Sequence, residues 1–172
     1  MFMEKKLFTF DEIKLKMVNY CTYQDRCHQE VEQKMREFML IPEAKDEILL
    51  YLMRENFLNE ERFARSYVRG KFYHKSWGRK KIANHLKFKG VSEKLINMAM
   101  TEIDEEEYLE VLANLCHRYI ISLKSGTDFE KKQRAVRYLL GKGYEYDVLQ
   151  VIVNQYFMGG GGGSFLLIKT DF

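Results

Sequence analysis

Three segments of this chain repeat one pattern. Val31, Met35 and Met39 stand four apart, as do Ile82, Leu86 and Gly90, and again Ala135, Leu139 and Gly143. An apolar residue follows each set at once (Leu40, Val91 and Tyr144), and the starting positions lie 51 and 53 residues apart. A spacing of four keeps residues on one helix face. Its return at a fixed long period marks a repeat architecture, in which each unit buries little surface alone and must stack on its neighbours. The pattern therefore predicts an all-α chain of about nine helices, arranged as three tandem three-helix repeats stacked into an elongated curved body. The expected units are residues 1–57, a basic second unit at 58–103, and 104–157. Residues 158–172 hold the Gly159–Gly163 run and Ser164, and read as a Gly-rich linker and short tail, non-native or disordered.

Local signals place the helices. The first runs from about Thr9 to Cys21 on Ile13, Met17, Val18 and Cys21, and the second from about Asp25 to Met39. Pro42 opens a third that ends near Asn56, since proline suits a first helical turn. Asn59 caps the fourth, with Glu60 and Glu61 in the turn where the helix dipole favours negative charge. The fifth follows Trp77-Gly78 and stops at Gly90, and Ser92 caps the sixth. Asp104 starts the seventh, with Glu107 spaced as in a capping box, and Ser125-Gly126 ends it. The eighth covers Asp128 to Lys142 and the ninth Tyr146 to about Tyr156.

Charge is distributed unevenly. The whole chain carries only +3, yet Arg62 to Lys89 contains ten Lys or Arg residues and no Asp or Glu. Solvated faces usually mix signs, so an unmixed run points to a polyanion or an acidic protein surface. On the fourth helix Phe63, Ala64, Tyr67, Val68 and Phe72 form the apolar back, with Arg62, Arg65 and Arg69 in a row opposite. Charge reversal of that row is expected to spare the core. On the fifth helix Lys80, Asn84 and Lys87 face outward from Ile82, Ala83 and Leu86. The candidate contact residues are Arg62, Arg65, Arg69, Lys71, Lys75, Trp77, Arg79, Lys80, Lys81, Lys87 and Lys89. Tyr73, Trp77 and Phe88 lie off the buried stripe and can stack on a partner; Trp77 equally suits pinning the loop before Gly78.

Catalytic chemistry finds little support. His28, His74, His85 and His117 lie on separate helices or at their ends, and none has zinc-ligand spacing with a cysteine. Glu105, Glu106 and Glu107 read as an acidic first turn. Gly141 and Gly143 end a helix, where a phosphate loop would begin one. Cys21, Cys27 and Cys116 are odd in number, lack CxxC spacing and fit a reducing compartment. No window is long and apolar enough for a membrane span, and the N-terminus lacks a signal-peptide pattern. The expectation is a cytoplasmic binding protein, not an enzyme, without cofactor or metal.

Three motifs carry a resemblance. Asn59-Glu-Glu-Arg-Phe-Ala-Arg-Ser-Tyr-Val68, Trp77-Gly-Arg-Lys-Lys-Ile82 and Leu86-Lys-Phe-Lys-Gly-Val-Ser92 resemble the central signature of the RecX family, bacterial regulators of the RecA recombinase. Arg26-Cys27 with Glu30-Val31 and Lys34-Met35 is similar to the family's first-unit motif, and Tyr138-Leu-Leu-Gly-Lys-Gly143 to its third. The likeness covers roughly Leu15 to Tyr156. It departs at Cys27, where serine is usual, and at Met39, where a glycine often ends the helix. The resemblance implies a monomer lying in the groove of the RecA–DNA filament, inhibiting filament growth, ATP hydrolysis, strand exchange and stimulated repressor cleavage within the SOS response. Single- or double-stranded DNA is a further partner, and the alternative is a helical module acting on nucleic acid directly.

Overall fold

The computed structural model describes residues 7–159, and every described regular element is helical. Nine α-helices follow one another among these residues: α1 (Phe10–Tyr23), α2 (His28–Met35), α3 (Pro42–Arg54), α4 (Glu60–Lys75), α5 (Arg79–Phe88), α6 (Glu93–Met100), α7 (Glu105–Ser122), α8 (Asp128–Lys142) and α9 (Tyr146–Met158). None is long and apolar enough to cross a membrane. The expected Gly-rich linker and tail fall outside the described residues from position 160 onward.

Helix starts follow the local chemistry. Thr9 and Thr127 cap α1 and α8 in reciprocal boxes with Glu12 and Glu130. Asp104 accepts from the Glu106 and Glu107 amides, while the Glu107 carboxylate takes the Tyr73 hydroxyl at 2.5 Å. Pro42 stands at the start of α3 as expected. Gly90 and Gly143 follow their helices in the left-handed region, at φ 79° and 92°. The second helix is shorter than its spacing predicts. Asp25 precedes it, and after Met35 the chain tightens into a 3₁₀ turn, Arg36–Phe38, before Met39 at φ 28°. A helix closed by methionine where its siblings use glycine lacks the residue that reverses the backbone without strain, so it unwinds through a tighter turn.

Packing divides the chain into two compact units that cut across the helix trios. The first runs up to Tyr67 and takes in Leu86–Ala99; the second holds Val68–His85 and the chain from Met100 onward. In the first unit Ile13, Met17 and Cys21 of α1 meet Val31 and Met35 of α2 and Ile48, Leu49 and Leu52 of α3. In the second, α7, α8 and α9 pack on one another around Tyr108, Leu112, Leu139, Leu149 and Val153, with the Phe72 ring tilted against Tyr108. Cys21, Cys27 and Cys116 are buried free thiols, and burial pushes Cys21 up to about 11 and Cys116 up to about 12.

Candidate partner-binding surfaces

The basic stretch lacks acids in sequence but meets them in space. In the first unit the Arg62 Nε donates to Asp25 Oδ1 at 2.7 Å, and its two terminal nitrogens donate to the carbonyls of Asn56 and Phe57. Asp25 also accepts the Ser66 hydroxyl at 2.7 Å. Arg62 therefore fastens the turn between α3 and α4, and the expectation that the arginine row is independent of the fold fails there. Arg65 pairs with Glu61 one turn back and reaches the Met98 carbonyl. Lys89 Nζ meets Glu30 at 2.7 Å, and the same Glu30 carboxylate accepts the Cys27 amide. Lys87 approaches Glu93 at 3.9 Å, while Phe88 is 85% exposed.

In the second unit Arg69 pairs with Glu102 at 2.7 Å. Arg79 pairs with Glu105 at 2.7 Å and lies over the Tyr108 ring, 4.0 Å from its centroid. The Arg79 amide donates to the Tyr108 hydroxyl at 3.1 Å, which donates onward to Glu145 at 2.5 Å. Burial first, and then that carboxylate, push the Tyr108 hydroxyl above its ordinary value. Half-buried Trp77 meets His85 in a tilted ring contact, with Lys71 and Lys81 Nζ 4.9 and 4.7 Å from its ring centroid. Trp77 thus pins the loop and gathers two cations at once. Lys75 and Lys80 are exposed, and no carboxylate stands within 4.0 Å of either among the described residues.

Two glycines set this surface. The Gly78 amide donates to the Lys142 carbonyl at 2.8 Å and the Lys80 amide to the Gly143 carbonyl at 3.1 Å, so the start of α5 is seated on the end of α8. Lys81 Nζ adds a bond to the Gly141 carbonyl, and the Tyr144 hydroxyl donates to Ser76. A hollow of about 400 Å³ lies beside the joint, lined by Lys80, Lys81, Asn84, His85 and Tyr144 among others. From the sequence, Gly78 reads only as a loop residue. The Gly143-Tyr144 repeat boundary held the signal for what it meets.

Lys131, Lys132, Arg134 and Arg137 share α8 with Asp128 and Glu130, whose spacing along the helix would let them offset those charges. Glu130 is instead engaged by the Thr127 amide and hydroxyl, and those bonds hold its carboxyl below its ordinary value. Among the described residues no ion pair within 4.0 Å engages Lys131, Lys132 or Arg137.

Residues 59–100, covering α4 to α6, match the model of the RecX second three-helix domain, and residues 105–152, covering α7 to most of α9, match the RecX third three-helix domain. The chain is 28% identical over 138 residues to the regulatory protein RecX of Lactobacillus johnsonii, covering 80% of this chain and 51% of that protein. It is 29% identical over 132 residues to the regulatory protein RecX of Clostridium perfringens, covering 76% and 61%. The chain thus spans about half to three-fifths of the length of these relatives. The crystal structure of RecX from Lactobacillus salivarius superposes with a TM-score of 0.78 at 24% identity, over 87% of this chain and 97% of that one. At that identity the superposition speaks for the fold. With both family domains matched in order over just over half of its residues, the chain belongs to the RecX family.

Proposed function

We propose that this chain is a regulator of the RecA recombinase that binds the groove of the RecA–DNA filament. It inhibits filament growth, ATP hydrolysis, strand exchange and co-protease activity during DNA repair. It works as a cytoplasmic monomer, by binding, with no catalytic step or cofactor. The observation that carries this reading is the cation group built on Trp77. Lys71 and Lys81 flank the indole, and exposed Lys75 and Lys80 have no carboxylate within 4.0 Å among the described residues. Cations left unneutralised by the fold are available to phosphates or carboxylates, each of which adds to affinity and to its salt dependence. Arg65, Arg69 and Lys87 keep exposed edges and add to the surfaces of their own units; Arg62, Arg79 and Lys89 serve mainly to hold the fold.

The test is a titration onto RecA-coated single strand and onto naked single strand at one salt concentration, with RecA ATP hydrolysis as the second readout. The wild type is expected to favour the coated strand and to inhibit hydrolysis. The triple variant Lys75→Glu, Lys80→Glu, Lys81→Glu loses inhibition with its helix content intact. Equal binding to naked strand, with no effect on hydrolysis, would identify a plain DNA-binding module. Full inhibition by the triple variant would remove the Trp77 group from the contact.

A further inference from the structure

The outer face of α8 carries three apolar side chains, Phe129, Val136 and Leu140, set among Lys132, Gln133 and Arg137. Together they occupy the i, i+3, i+4, i+7, i+8 and i+11 positions of one stripe. The helix is therefore amphipathic twice. Ala135 and Leu139 face the core of the second unit, while this second stripe lines a groove of about 390 Å³ walled on its other side by Tyr146 of α9. Phe129 is 70% exposed, Tyr146 55% and Leu140 43%, so three large apolar side chains stand in water along one groove. Eleven residues of α8 correspond to roughly 16 Å, the length of three turns of a third helix laid alongside.

Charge identifies what fits. The groove is lined by Lys132 and Arg137 and by no Asp or Glu, and neither cation has a carboxylate within 4.0 Å among the described residues. An apolar floor with basic sides complements an amphipathic helix that carries an apolar stripe flanked by carboxylates. Val136 and Leu140 line the groove beside Phe129 and Tyr146, so an inserted aliphatic stripe meets apolar partners from both α8 and α9, and bases stacked on the two rings are the competing outcome of the test. We propose that the groove between α8 and α9 docks an acidic amphipathic helix of a protein partner. No residue of the Trp77 group lines the groove, although Leu140 borders both hollows, and its test contains no recombinase, so either reading can fail alone.

The probe is a fluorescein-labelled peptide of about sixteen residues with leucine at helical i, i+3, i+4 and i+7 positions and glutamate elsewhere. Its anisotropy is followed with the full chain. Controls are a scrambled peptide of the same composition, the same stripe with lysine for glutamate, and a labelled oligothymidylate of similar length. The acidic stripe peptide should bind at least about tenfold tighter than either control peptide. The double variant Lys132→Glu, Arg137→Glu and the single variant Leu140→Gln should each weaken it about tenfold or more, with thermal unfolding unchanged. The charge-matched variant Lys94→Glu, Lys124→Glu should bind as the wild type does. Equal binding of scrambled peptide, or undiminished binding by the Lys132/Arg137 variant, overturns the proposal. Oligothymidylate displacing the peptide from the same residues overturns it in favour of a single-strand site.

Discussion

Gly78→Ala tests how the second unit is assembled. A methyl group at position 78 would lie 2.3 Å from both the carbonyl carbon and oxygen of Gly143, and 2.4 Å from the Tyr144 nitrogen. These are backbone atoms and cannot rotate away, so the start of α5 must retreat by about 1 Å to restore ordinary contact. The retreat breaks the Gly78–Lys142 and Lys80–Gly143 bonds. A lost hydrogen bond costs about 1 kcal/mol, and leaving its groups buried without partners costs about 1–3 kcal/mol. The two together give about 3–5 kcal/mol. For a chain of this size that lowers Tm by roughly 6–20 °C. Urea and thermal unfolding followed by far-ultraviolet circular dichroism measure it. Gly141→Ala supplies the control, because nothing lies within 4 Å of its added methyl. It should stabilise by about 0.5–1 kcal/mol, as alanine does within a helix. If Gly78→Ala stays within about 1 kcal/mol of wild type, the seating of α5 on α8 is not the contact described.

Two further outcomes follow from buried and half-buried groups. Arg62→Ala should lower stability by about 1–2 kcal/mol, read from the urea midpoint, because a charge-assisted bond and two carbonyl partners are lost at a half-exposed site. Lys75→Ala should shift it by under about 0.5 kcal/mol; equal shifts would refute the role given to Arg62. Cys116 has its folded pKa raised by burial from 9.0 to about 12, so its contribution is complete below pH 9 and is lost as pH rises toward 12. Urea midpoints should therefore fall between pH 9 and 11, and Cys116→Ala should make the fall shallower; an unchanged slope in that variant would refute the assignment.

What the sequence made legible was local. Pro42, Asp104, Gly90 and Gly143 mark helix ends within a turn of themselves, and all four do so in the structure. The partners of the basic stretch were hidden because they come from distant positions. Asp25 is 37 residues from Arg62 and Glu30 is 59 from Lys89, so a window free of acids looked unneutralised when much of it was not. The trios of helices were readable from their spacing, whereas the two packing units that divide α4 and α5 depend on contacts that no short pattern encodes. The groove on α8 was within reach. Its second stripe has the same spacing as the first, but an argument that assigns one apolar face per helix stops at Ala135 and Leu139.

The Tyr108 hydroxyl joins three helix beginnings. It belongs to the first turns of α7, accepts from the amide of Arg79 at the start of α5, and donates a hydrogen bond to Glu145, the residue that precedes α9. Helix beginnings are ordinarily where a bundle loosens first, each with unpaired amides and each free to open by itself. Here one phenol makes them a single event. If the first turn of α5 lifts, Tyr108 loses its donor; if α9 frays, it loses its acceptor, and the buried hydroxyl is left short in either case. The second unit is thereby denied the small independent openings that would let its core be entered one helix at a time.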